Sequence, residues 1–376
     1  MNVPLLEGRK VALVHDWLNG MRGGEKCLEV LCELFPDADL FTLIHQKGAL
    51  SQTIESMPIR TSFVQHLPFG LKKYRLYLPL FPSAIEQFDF SDYDLIISSS
   101  HCVAKGVKHA DSVYHISYVH APMRYVWDQF DTYFRQPRTS LPVRIGAELM
   151  RSYLQNWDRN TAKRVDTFLC NSNNIRKKIL KYYGRESQVI YPPVDLSNFK
   201  PGGTKESYYL MVGAFAPNKR VDLAVEAFNR LKLPLKILGS GQDEEYCRSI
   251  AGEDIEFLGA LSNEKMIELY QQARALVFPG EDDFGITPLE AQACNTPVIA
   301  FASGGAMETV TARTGLFFTE QNIDALCEAV EEMERSWSNF VPEAFRQQVS
   351  RFGRGNYKEQ MAHAIEHGYR QWKAEL

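Results

Sequence analysis

Residues 208–228 read YYLMVGAFAPNKRVDLAVEAF. A short apolar run leads into a turn with Gly213, Pro217 and two adjacent cations. Val221, Ala224, Val225 and Phe228 then recur at helical spacing, and Leu231 extends their face. That order predicts a buried strand feeding an amphipathic helix. The unit repeats downstream: apolar runs at 235–238, 255–258, 275–278 and 298–301 each have a helical stretch behind them. Runs apolar on both faces belong to a parallel sheet covered by helices.

The same pattern fills the first half. Residues 10–15 (KVALVH) predict a strand, 16–23 a loop, and Cys27, Val30, Leu31 and Leu34 the face of the next helix. Further strands are expected at 95–99, 113–118 and 167–170. Between the halves, Tyr191-Pro192-Pro193-Val194-Asp195 cannot form helix, which places the hinge there. The expected domains are residues 1–191, joined by a C-terminal helix at 355–376, and residues 192–354. A chain of 376 residues suits two α/β domains. A net charge of −4 excludes a general nucleic-acid binder. Seven scattered cysteines without a C-x-x-C pair predict neither a disulfide framework nor a zinc site, and a reducing cytoplasm. No apolar run approaches the ~20 residues of a spanning helix.

In such folds ligands bind beyond the carboxyl ends of the strands, and tandem domains create a cleft there. Four loops stand at that position. Gly20-Met21-Arg22-Gly23-Gly24-Glu25 opens a helix whose free N–H groups suit an anion; a tight turn is the bland alternative. Lys219 and Arg220 crowd a helix start that favours anions, which suits a diphosphate, although solvated surface charge is the usual fate of such residues. Glu281, Asp282 and Asp283 cluster ahead of Thr287-Pro288-Leu289-Glu290, where Glu290 could close a capping box or accept from ribose hydroxyls. His120 follows a strand beside Tyr118 and Arg124; a satisfied structural histidine is the competing reading.

With these pieces in hand, the chain resembles glycosyltransferase family 4, retaining enzymes of the GT-B fold, in the branch of bacterial mannosyltransferases of O-antigen and other surface polysaccharides. The resemblance runs through HDWLNGMRGGEK, ISSSHCVAKGV, YVHAPMRYVWD, NKRVDLAVEAF, ILGSG, FPGEDDFGITPLEAQACNTPVIAF and SGGAMETV, in the family's order. It implies an α/β GT-B architecture, with two Rossmann-like domains facing each other across a central cleft and a C-terminal helix crossing back to the N-terminal domain. It also implies a catalytic set of His120, Asp282 and Lys219. Donor-binding residues would be Gly23, Gly24, Lys219, Arg220, Gly239, Phe284, Gly285, Ile286, Thr287 and Glu290. Acceptor-side candidates are His101, Lys105, Arg124 and Trp127. The partners implied are a nucleotide-sugar donor and a glycan or lipid-linked acceptor, with no metal, no cofactor and no nucleic acid.

Three positions depart from the family pattern. Asp282 stands where the first Glu of E-x₇-E is usual, Ala214 where a phosphate-binding Arg is usual, and Asn295 where Gly is usual. From residue 56 to 85 there is no acid, while Arg60, Lys72, Lys73 and Arg75 alternate with apolar side chains, a pattern that suits either an anionic membrane surface or a packed loop with solvated cations. A cytoplasmic protein, peripheral on the inner face of the membrane, is the corresponding expectation. Rival readings are a hydrolysing sugar-nucleotide 2-epimerase of the same fold, a metal-dependent transferase using Asp92-Tyr93-Asp94, and a non-catalytic nucleotide-sugar binder. Asp92-Tyr93-Asp94 precedes its strand and reads as a turn.

Overall fold

A computed structural model describes Leu6, residues 8–128, Phe130 and residues 141–375, with side chains from 145 in the last stretch. The chain divides into two compact units, Met1–Pro193 with Gly355–Leu376, and Val194–Arg354.

Among the described residues the first unit holds a seven-stranded sheet. Its strands are β1 (Val11–His15), β2 (Asp39–Thr42), β3 (Ile59–Thr61), β4 (Leu95–Ser100), β5 (Tyr114–Val119), β6 (Thr167–Cys170) and β7 (Gln188–Val189). All pair in parallel, in the order β3-β2-β1-β4-β5-β6-β7. The second unit holds a six-stranded parallel sheet ordered β10-β9-β8-β11-β12-β13. These are β8 (Tyr209–Val212), β9 (Leu235–Leu238), β10 (Ile255–Gly259), β11 (Leu276–Phe278), β12 (Val298–Phe301) and β13 (Gly315–Phe318). Both are doubly wound Rossmann-like units, as the alternation of short apolar runs with helices predicts.

Strands β1, β4 and β5 are buried at every residue, which explains why their runs are legible. Strands β2, β3, β7 and β13 have no counterpart in the sequence reading. They are short, and their sequences (DLFT, IRT, QV, GLFF) begin with a polar residue or Gly or lie half-exposed at an edge.

Each sheet has one place where the strand order reverses, between β1 and β4 in the first unit and between β8 and β11 in the second. The loops leaving those neighbouring strands diverge to opposite faces and open a crevice. The residues of chemical interest lie there.

From Gly355 onward the C-terminal helix Arg354–Glu375 belongs to the first unit. It buries Tyr357, Met361, Ile365 and Tyr369 against the sheet. Tyr357 and Tyr369 meet Tyr118 and Tyr114 with ring centroids 5.7 and 5.8 Å apart. Gly368 makes this approach possible: a Cβ there would stand 2.0 Å from Tyr114 Oη, which donates to Thr167 Oγ1 at 2.7 Å. Tyr114 is fully buried and has no room to retreat. Gly368→Ala should therefore cost about 1–3 kcal/mol of stability, read as a lower urea midpoint; an unchanged midpoint would contradict this packing.

Candidate active site

At the first switch point, Asp16 follows β1 and is fully buried. Its carboxylate accepts four backbone N–H groups of the loop after β4: His101 at 2.6 Å, Cys102 at 2.9 Å, Val103 at 2.6 Å and Ala104 at 2.8 Å. His101 Nδ1 also approaches it at 3.2 Å. Charge-assisted bonds of this kind fix a loop more tightly than neutral ones. Asp16 thus joins the exits of the two strands that flank the crevice.

Above this tie stand three imidazoles, of His15, His101 and His120, with ring centroids 5.7, 6.2 and 6.5 Å apart. Ser99 Oγ lies 3.1 Å from His15 Nδ1 and 2.9 Å from His120 Nε2. His120 also donates its backbone N–H to Ser100 and accepts at its carbonyl from Asn171. Burial pushes the His120 imidazole well below its ordinary range, and the neighbouring His101 and His15 add to the effect. His101 shifts down for the same first reason, with a quarter of its side chain still exposed.

The helix Gly23–Leu34 starts beside these rings. Its Glu25 turns back to accept the Arg22 N–H at 3.1 Å and lies 3.8 Å from His15 Nε2. Burial is the largest single influence and raises the Glu25 carboxyl, but His15, His101 and a backbone hydrogen bond together bring the net shift down. A Cβ on Gly24 would rest in ordinary contact with His15 (3.5 Å) and His120 (3.7 Å), so this glycine lies against the cluster. Gly23 begins the same helix.

Of the acceptor-side candidates, two lie elsewhere in the unit. Lys105 is 1% exposed: its Nζ donates to the Asp158 carbonyl (2.7 Å) and Thr161 Oγ1 (3.2 Å) and ion-pairs with the Asp158 carboxylate at 2.8 Å. An ammonium so engaged and enclosed cannot meet an acceptor, which corrects its assignment. Trp127 belongs to the same buried hub, donating to Asp158 Oδ2 at 2.7 Å and stacking on Tyr182. His101 and Arg124 remain near His120, the latter half-buried in the turn after β5.

At the second switch point the loops after β8 and β11 are laced together. Glu281 N–H donates to the Asn218 carbonyl at 3.1 Å, and a Cβ on Gly280 would collide with Asn218 O (2.4 Å) and Lys219 Cα (2.6 Å). The loop after β12 closes the third side, where Gly305 N–H donates to Asp282 O at 2.8 Å. Gly239, after β9, sits so close to Gly213 that a Cβ would meet its carbonyl at 1.9 Å.

Within this frame Lys219 Nζ pairs with Asp282 Oδ2, both side chains mostly covered. Lys219 also lies over the Phe278 ring at 5.8 Å. Arg220 beside it is also paired within the chain, its guanidinium bound to Asp222 (3.1 and 3.2 Å) and to Gln321 Oε1 (3.1 Å). Glu290 is 9% exposed and accepts from Tyr270 Oη at 3.1 Å. It closes no capping box: the helix Ile286–Ala293 starts after Gly285, whose φ of +85° ends the loop, so Thr287 lies inside the helix. Ile286 and Thr287 form the first turn, while Phe284 is buried beside Phe352. Asn295 adopts φ +55°, a left-handed conformation that Asn tolerates better than most residues, so its departure from Gly is benign.

Among the described residues no group of three or more His, Cys, Asp and Glu is arranged to hold a metal ion. All seven cysteines are buried and none is in a disulfide.

Two doubly wound parallel-sheet units, each with its polar cluster at a switch point, are the two halves of a GT-B fold. The profile described as Glycosyltransferase Family 4 matches residues 23–198, and that of Glycosyl transferases group 1 matches residues 196–354. Together the two matches run from residue 23 to residue 354 and support a family 4 glycosyltransferase. It is 39% identical over 110 residues to a GDP-mannose-dependent monoacylated alpha-(1-6)-phosphatidylinositol monomannoside mannosyltransferase of Corynebacterium glutamicum (26% of this chain, 29% of that one). It is 30% identical over 163 residues to an O-antigen chain mannosyltransferase of Salmonella typhimurium (40% and 46%). The matched stretches span about half or less of these relatives' own length. In fold it is similar to sucrose-phosphate synthase from Thermosynechococcus elongatus (TM-score 0.71, 18% identity, covering 98% of this chain and 100% of that one). A further likeness is to Anabaena HepE solved with UDP-glucose (TM-score 0.68, 16% identity, 94% and 99%).

The buried histidines make the first unit sensitive to acid. His120 and the fully buried His115 both have folded values well below the ordinary 6.5, chiefly through burial. The unfolded chain takes protons that the folded one refuses, so their stabilising contribution is complete above pH 6.5 and is lost as pH falls. With His101, which is lowered for the same reason, they make stability fall as pH drops below the ordinary imidazole range. Urea melts at pH 7.5, 6.5 and 5.5 measure it; stability independent of pH over this range would contradict the assignment.

Proposed function

We propose that the chain is a retaining, metal-independent glycosyltransferase. It moves a hexose from a nucleoside-diphosphate sugar, of the GDP-mannose or UDP-glucose type, to a glycan or lipid-linked acceptor in cell-surface polysaccharide synthesis. The observation that carries this reading is the Lys219–Asp282 pair, held where three glycine-containing loops meet at the β8/β11 switch point. The relatives named for GDP-mannose and for the O-antigen chain, and the fold neighbour solved with UDP-glucose, support the choice of donor and acceptor class.

Cleavage of the sugar–phosphate bond leaves negative charge on the diphosphate. Fixed donors aimed at such charge are worth roughly 2.7–4 kcal/mol apiece. The Lys219 ammonium exchanges Asp282 for the phosphate, and the free N–H groups at the start of the helix Ile286–Ala293 meet the same charge. Glu290 holds the ribose hydroxyls. The acceptor hydroxyl attacks on the face from which the phosphate leaves, and the phosphate takes its proton, so no protein carboxylate acts as base. His120 hydrogen-bonds the donor sugar. Asp282, once released by Lys219, accepts from sugar hydroxyls.

An acceptor on a lipid places the protein, cytoplasmic under this reading, at the inner face of a membrane. Phe69 (71%), Leu76 (74%), Leu80 and Leu71 are exposed in the acid-free stretch, next to the exposed Lys72, Lys73 and Arg75. That combination fits an anionic lipid surface. No helix among the described residues is long and apolar enough to cross a membrane.

Lys219→Ala should lower turnover by about 10²–10³ in the presence of excess chelator, and Glu290→Ala should raise KM for the donor; wild-type rates for both variants, or a strict need for a divalent ion, would refute the donor site. Flotation with phosphatidylglycerol vesicles at low salt should carry the chain upward. Phe69→Ser/Leu76→Ser should stay at the bottom, and equal flotation of both proteins would remove this surface as the contact.

A further inference from the structure

Ser99 Oγ bridges His15 Nδ1 (3.1 Å) and His120 Nε2 (2.9 Å). A hydroxyl has one proton, so it donates to one ring and accepts from the other. The direction of this chain is decided at its far end. His15 Nε2 is buried and makes no hydrogen bond, and Glu25 Oε1 lies 3.8 Å from it. Glu25 is itself 3% exposed, with its other oxygen on the Arg22 N–H. In that enclosed setting a lone pair on His15 Nε2 would be repelled by the carboxylate, whereas an N–H is attracted. His101 is oriented separately, through Asp16.

With the proton on Nε2, His15 accepts at Nδ1 from the Ser99 hydroxyl. Ser99 Oγ in turn accepts from His120 Nε2–H, and His120 Nδ1 is left bare. We infer that Glu25 is a positioning residue that sets the tautomer of His120 through His15 and Ser99, giving His120 an acceptor nitrogen for a sugar hydroxyl. The hydroxyl clause rests on the proposed transferase reading; the tautomer does not.

Long-range ¹H–¹⁵N spectra of the full chain, labelled at histidine and recorded at pH 7.5, read this directly. In the wild type both His15 and His120 should be Nε2–H. Glu25→Gln keeps an acceptor for the Arg22 N–H and presents an NH₂ to His15 Nε2, so the chain reverses and both rings become Nδ1–H. Ser99→Ala should leave His15 as Nε2–H while His120 shows a mixture; this variant carries the test if Glu25→Gln does not fold. An Nδ1–H His120 in the wild type, a doubly protonated His15, or an unchanged His120 in folded Glu25→Gln would overturn the inference. Turnover of Glu25→Gln should fall roughly 10- to 100-fold with donor KM little changed, the size of one lost hydrogen bond in a dry site. A reversed tautomer with undiminished turnover would overturn the hydroxyl role alone. A wild type without turnover on any nucleotide sugar would count against the transferase reading and leave the tautomer result standing.

Discussion

A parallel sheet sends every strand the same way, so all its exits lie along one edge, and only where the strand order reverses do two neighbouring exits part. The rest of this protein depends on that constraint, used twice. In the first unit the exits of β1 and β4 are tied by Asp16, whose single carboxylate gathers four successive N–H groups. In the second, the exits of β8 and β11 are joined by backbone contact through Gly280 and the Asn218–Glu281 hydrogen bond. One junction is ionic and the other is steric. Each holds a polar group at a fixed place: imidazoles in the first unit, an ammonium in the second.

The cations at the second junction, and Lys105 away from the first, are paired within the chain. Lys219 rests on Asp282, Arg220 on Asp222 and Lys105 on Asp158, but the pairs differ in kind. Lys105 and Asp158 are buried and closed by further hydrogen bonds, an arrangement that breaks only at high cost. Lys219 keeps about a quarter of its side chain exposed and has one carboxylate partner that an incoming phosphate can replace. Under the proposed reading a diphosphate competes with an internal anion for a cation already in place.

Much of this was legible in the sequence, because short runs buried on both faces have a periodicity that no exposed strand imitates. Lys219 and His120 stand just past such runs, while Glu290 enters as a donor residue through the resemblance to family 4. Asp16 meets the same criterion but carries no local signature, since its partners lie 85 to 88 residues away. The burial of Lys105 is equally silent in the sequence, because the acid that pairs with it is remote. Thr287-Pro288-Leu289-Glu290 has the spacing of a capping box, but Gly285 starts the helix earlier and puts Thr287 inside it.

The account stands or falls on what Lys219 holds when a nucleotide sugar is bound. A crystal structure of the chain with GDP-mannose or UDP-glucose is the direct measurement. It should show the diphosphate at the exits of β8 and β11, Lys219 Nζ moved from Asp282 onto a phosphate oxygen, and the ribose hydroxyls on Glu290. A nucleotide bound elsewhere, with the Lys219–Asp282 pair intact, would contradict it.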